Sequence, residues 1–173
     1  MTSPNPVSVI LLLALLALAT WADLRKRRVP NMLTYPAIVL GLIVGAAFGG
    51  LDGLREHAFG AALGLGMLFP LFVLRWMGAG DVKLMAAIGA LMGTNFVWFA
   101  CLWAAVFGAC IALAGLIYSR RLVLALSHMY YSRLLPQAGG SFISSGIRLP
   151  YAPSIALGSL VVLGGLQWVH LGF

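Results

Sequence analysis

The chain has 173 residues, of which 62 % are hydrophobic and only 9 % charged, a balance that excludes an ordinary water-soluble domain and indicates a polytopic membrane protein. The formal net charge of +7 points to no nucleic-acid partner, because basic residues beside apolar segments orient a membrane protein and meet anionic lipid. Cys101 and Cys110 lie about 13 Å apart in rise on one predicted helix, beyond disulfide reach; they read as core residues, and with His57, His128 and His170 scattered, no metal and no cofactor is expected.

Uncharged runs cover Met1 to Ala22, Val29 to Leu51, Ala58 to Leu74, Leu84 to Ser119 and Leu149 to Phe173. The fourth run would make a helix of about 54 Å, too long for a hydrocarbon core of about 30 Å, and Gly93-Thr94-Asn95 is its natural break. The expected fold is therefore all-α, one membrane domain over residues 1–173 with six transmembrane helices at roughly 5–22, 33–50, 58–76, 82–93, 96–118 and 152–171. The first is not a cleavable signal peptide, since its charges follow it rather than precede it. The fourth is short: a helix over 81–93 rises only about 20 Å. Gly41, Gly45 and Gly49, then Gly60 and Gly64, then Gly89 and Gly93 repeat at four-residue steps that let membrane helices approach closely. Between the last two segments, RRLVLALSHMYYSRLL (Arg120 to Leu135) divides into a polar and an apolar side, as an amphipathic helix in the membrane interface does. The Gly- and Ser-rich PQAGGSFISSG that follows reads as a loop.

Lys and Arg positions set orientation. With six segments Arg25, Lys26, Arg27, Arg28, Arg75, Lys83, Arg120, Arg121, Arg133 and Arg148 all fall on one side, and Arg55 alone on the other. The ten mark the cytoplasmic side, which leaves both termini outside. Asp23 and Asp81 then stand at the cytoplasmic ends of two segments, while Asp52 and Glu56 occupy a short outer loop.

Only four residues are acidic, and a carboxylate at membrane depth is costly unless it does chemistry or moves an ion. Asp81 follows Gly78-Ala79-Gly80, where glycines allow a backbone or substrate to come close. It also suits a plain helix N-cap. Asp23 closes a helix at the end where its charge opposes the dipole, and Arg27 is a possible ion-pair partner. Taken together, the two acids suit a dyad: carboxylates that approach closely cannot easily both ionise, so they share a proton. One activates water while the other polarises a peptide carbonyl and then protonates the leaving amine.

Here the motifs resemble a known family. GAGDVKL (Gly78 to Leu84) is similar to the G-x-G-D-x-K-L signature of the type IV prepilin peptidases, which are membrane aspartyl proteases. DLRKRRVPN (Asp23 to Asn31) resembles that family's first-aspartate loop, and LPYAPSIALG (Leu149 to Gly158) the start of its final helix. The resemblance implies Asp23 and Asp81 as the catalytic pair. It also implies site-shaping roles for Gly78, Gly80, Lys83, Pro30, Asn31, Pro150, Tyr151 and Pro153. The implied substrates are prepilins and pseudopilins, cut between a basic leader and a membrane helix at the cytoplasmic face of a bacterial inner membrane, with pilus or secretion machinery as a further partner. Lys83 either pairs with an acid near the mature pilin N-terminus or snorkels to lipid phosphate. The paired Cys-x-x-Cys motifs of the methylating members are absent from this sequence, which looks like the short peptidase-only branch serving Flp-type pili. The presenilin-like branch fits poorly, because Ala22 rather than Tyr precedes Asp23. Two other classes remain: a proton-coupled carrier, which would use further buried acids or an inverted repeat, and a noncatalytic pilus-assembly component, which would tolerate loss of either aspartate.

Overall fold

A computed structural model of the chain describes residues 5–26, 29–74, 77–118 and 151–170. All regular structure in them is helical: α1 (Pro6–Lys26), α2 (Asn31–Val73), α3 (Ala79–Met92), α4 (Thr94–Tyr118) and α5 (Ala152–His170). The chain divides into two units, Met1–Gly108 with Pro150–Phe173, and Ala109–Leu149. Of the second, only Ala109–Tyr118 is described, as the helical continuation of α4. The expected interfacial helix at 120–135, the loop after it, Pro150 and Arg27 lie outside the described residues.

By length and apolarity, α1, α2 and the stretch Thr94–Ala114 suffice to cross a membrane. Large apolar side chains cover their outer faces, among them Phe48 at 61 %, Phe59 at 68 % and Leu51 at 73 % exposure. Such a surface suits a lipid solvent and would aggregate in water. The chain is a membrane protein on this basis; the count of six spans and the orientation are taken up below.

The α2 helix departs from expectation. Two segments and an outer loop were expected where one element runs from Asn31 to Val73, broken only at Gly50 (φ 59°, ψ −143°). Positive φ is nearly free for glycine and costly for other residues, so the chain turns there within a single residue. Asp52 and Glu56 are thus helical. Beyond the break the two halves touch: a Cβ on Gly53 would strike the Gly45 carbonyl, and one on Gly45 would come within 2.6 Å of the His57 ring.

Both halves of α2 reach α3. Side chains added at Gly41 or Gly60 would run into the backbone of Ala90 or Gly89, and at Gly64 into that of Met85. The four-residue glycine steps therefore serve packing within the chain, backbone against backbone. Gly49 takes no part, with nothing within 4 Å of its would-be Cβ. As a result α3 is almost wholly enclosed: Leu84, Met85, Ala87, Ile88 and Ala90 are fully buried, and Leu12 and Ala19 of α1, Val97 and Ala100 of α4 and Ile155 of α5 complete the core. A helix buried all round needs no polar face, which is why α3 is apolar on every side after Lys83. Its length, 14 residues, matches the short fourth segment read from the sequence, and it ends at Gly93 (φ 83°), within the expected break. Cys101 is buried as expected, whereas Cys110 is exposed and not a core residue.

Candidate active site

Asp23 lies in the last turn of α1 and is 5 % exposed; Asp81 lies in the first turn of α3 and is 8 % exposed. The fold brings these ends together: Val29, six residues past Asp23, lies against Gly80, the neighbour of Asp81.

Each carboxylate is fixed through one oxygen to a backbone N–H. The Ala152 N–H donates to Asp23 Oδ2 at 3.1 Å. Ala152 is the first residue of α5, and first-turn N–H groups have no partner inside their own helix. Asp23 therefore caps α5 from another helix. The positive end of α5 offsets the unfavourable end of α1 on which Asp23 stands, so the ion pair with Arg27 is not needed to explain its position. The next residue, Pro153, sits where a missing N–H costs nothing. The Tyr151 carbonyl accepts the Ser154 hydroxyl at 2.7 Å and the Ile155 N–H at 3.1 Å, closing the first turn.

Asp81 is not itself the N-cap, the plain alternative that its position also suited; Gly78 is, and Asp81 stands three residues inside. The Gly78 N–H donates to Asp81 Oδ2 at 3.3 Å, and the Asp81 N–H to the Gly78 carbonyl at 3.1 Å. The first bond is the acid's half of a capping box; the second is a main-chain turn bond, since Gly78 has no side chain. A Cβ on Gly78 would lie 3.3 Å from Asp81 Oδ2, so a side chain there would crowd the carboxylate. Gly80 serves a different contact: its would-be Cβ lies 3.1 Å from the Val29 Cβ and carbonyl oxygen. The loop between α1 and α2 therefore seats its backbone on Gly80, next to Asp81.

That loop delivers Pro30 and Asn31. Pro30, in extended backbone (φ −72°, ψ 141°), is the N-cap of α2. The Lys83 ammonium donates to Asn31 Oδ1 at 3.0 Å and lies 4.9 Å from the centre of the Tyr35 ring. None of the four carboxylates pairs with Lys83; the one ion pair among the described residues is Arg55 with Asp52. Sequence reasoning placed Asn31 and Lys83 at the site but missed Tyr35. Its signal was position, since residues four apart share a helix face and Tyr35 follows Asn31 by four. The main-chain N–H of Ala152 carries no side-chain signal and was not legible at all.

With one oxygen of each carboxylate held, the second oxygen of each accepts no hydrogen bond from another described residue. Two buried carboxylates at neighbouring helix ends can share a proton and orient a water.

The model of the type IV leader peptidase family matches residues 10–113, more than half of the chain and a span that holds both aspartates. Similar proteins include the prepilin leader peptidase/N-methyltransferase of Escherichia coli (strain K12), 29 % identical over 154 residues that make up 85 % of this chain and 58 % of that one. The protein of that name from Aeromonas hydrophila is 32 % identical over 124 residues, 66 % of this chain and 41 % of its own. That from Aeromonas salmonicida (strain A449) is 30 % identical over 159 residues, 86 % and 50 % respectively. The chain spans about half the length of the curated relatives it matches. No solved structure matches it.

Proposed function

The chain belongs to the type IV leader peptidase family, and on that premise we propose that it is a membrane aspartyl endopeptidase that removes the basic leader of prepilins. The observation that supports this reading is that Asp23 and Asp81, the two buried acids, each accept from a backbone N–H at the start of a helix and stand at neighbouring helix ends. One member, ionised, takes a proton from water; its partner, protonated, polarises the scissile carbonyl and then protonates the leaving amine. The two titrations belong to the pair rather than to either residue.

The positive-inside pattern supports a six-span topology with the dyad at the cytoplasmic side, where the bond between a basic leader and an apolar helix would lie. Because α2 is two halves joined at Gly50, the five helices are compatible with six crossings, α3 being the short one. Pseudopilins are substrates of the same chemistry. Gly78, Gly80, Pro30 and Asn31 shape the cleft beside the dyad, while Tyr151 and Pro153 shape the helix start that anchors Asp23.

The test is co-expression with a prepilin and mass spectrometry of the leader junction. Wild type is expected to yield the mature N-terminus. Asp23→Asn and Asp81→Asn are each expected to yield none, at equal amounts of folded, membrane-inserted protein. Near-normal processing by either Asn variant would remove that aspartate from the mechanism.

A further inference from the structure

At the other end of the bundle lies a cavity of about 280 Å³. Asn5 and Ser8 at the start of α1, Glu56 and His57 just past the Gly50 turn, and Leu91 and Met92 at the end of α3 line it. From Ser8 to Asp23 the α1 helix rises about 22 Å, so this cavity is separate from the dyad.

Its polar groups are oriented by contacts outside it. His57 Nδ1 lies 2.6 Å from the Ala90 carbonyl oxygen. A carbonyl only accepts, so Nδ1 carries the hydrogen, and in the neutral ring Nε2 is then an acceptor. Glu56 Oε1 accepts the Thr94 hydroxyl at 3.3 Å, which leaves Oε2 with no donor among the described residues. Arg55 is engaged with Asp52 at 3.2 Å. One carboxylate with no cationic partner among the described residues and a second acceptor therefore line a small hollow, in a chain that is otherwise strongly basic. Two such ligands are too few for a resident metal, and no group of three His, Cys, Asp or Glu side chains converges among the described residues. An ammonium, with its N–H donors, complements both acceptors and the oxygens of Ser8 and Asn5. Phe48, on the cavity wall and 61 % exposed, supplies an apolar margin toward lipid.

We propose that this cavity binds a small primary ammonium group, from the aminoethyl headgroup of a phospholipid or from a free amine.

The intact chain in detergent is titrated with ethanolamine by saturation-transfer NMR. Its thermal unfolding is also compared in nanodiscs with and without phosphatidylethanolamine in phosphatidylglycerol. Wild type is expected to bind saturably in at least one arm; the responding arm identifies the source. Glu56→Gln keeps an acceptor for Thr94 but removes the charge, and it is expected to weaken binding at least about tenfold. Gly49→Phe places a ring in open space, since nothing lies within 4 Å of its would-be Cβ, and is expected to weaken binding as much. Asp81→Asn should bind as wild type does, so the cavity and the dyad stand or fall separately. No response in either arm, or undiminished binding by Glu56→Gln, would overturn the proposal.

Discussion

The Ala152 N–H and Asp23 Oδ2 are 3.1 Å apart, across 129 positions of sequence. A charge-assisted hydrogen bond of this kind contributes about 1.5–3 kcal/mol, and a buried N–H left without an acceptor costs a similar amount. Asp23→Asn keeps an oxygen for Ala152, whereas Asp23→Ala removes it and leaves a small cavity. Both variants should be inactive. Only Asp23→Ala should lose stability, by about 1–3 kcal/mol, read from denaturant or thermal unfolding in detergent. Equal stability of the two would deny Asp23 its capping role.

Gly80 should behave as a steric gauge of the loop it seats. A methyl there stands 3.1 Å from the Val29 Cβ and carbonyl oxygen, so Val29 must shift by a few tenths of an ångström, and Asn31 and Asp81 with it. Misplacing a catalytic group by about 1 Å costs about 100-fold. Gly80→Ala is therefore expected to slow prepilin processing several-fold and Gly80→Val to abolish it. Gly49→Ala, with open space around it, should process normally. Full activity of Gly80→Val would show that the loop does not position the site.

The two aspartates were legible because acids are so scarce in this chain that each had to justify its position. The brevity of α3 was legible because an overlong apolar run had one break, at Gly93. The Gly50 turn was not. Gly49-Gly50 looks like any packing glycine pair, and the charges at Asp52, Arg55 and Glu56 imitate a solvated loop, whereas they stand on helix just past the turn. Asp23's partner was illegible for a different reason. It is a main-chain group brought from the far end of the chain by tertiary packing, and no local pattern announces it.

Helix approach through glycine gives a second, purely structural expectation. A Cβ on Gly60 would meet the Gly89 carbonyl, and one on Gly89 the Gly60 carbonyl, and neither backbone can yield without parting α2 from α3. Overpacking of this kind costs about 1–3 kcal/mol. Gly60→Ala and Gly89→Ala should each lower the unfolding midpoint in detergent, and the double variant should lose less than the sum, since either methyl alone already separates the helices. Gly66→Ala, where nothing lies within 4 Å, is the internal control. Unchanged midpoints for both seam variants would show that the contact is looser than its geometry.

The orientation can be read directly by chemical labelling. Cys110 is exposed, so Cys110 and Cys101 are first replaced by serine to give a silent background. A single cysteine is then placed at Gly139 or at Asp52, and intact cells are treated with an impermeant maleimide before and after permeabilisation. Ten of the eleven basic residues fall on one side of a six-span arrangement, and Lys and Arg in short loops hold their side in the cytoplasm. Position 139 should therefore react only after permeabilisation, and position 52 should react in intact cells. The Asp52 variant should still process prepilin, because Asp52 pairs with Arg55 and with neither dyad residue. The reverse labelling would invert the molecule and put Asp23 and Asp81 on the wrong side for a cytoplasmic leader.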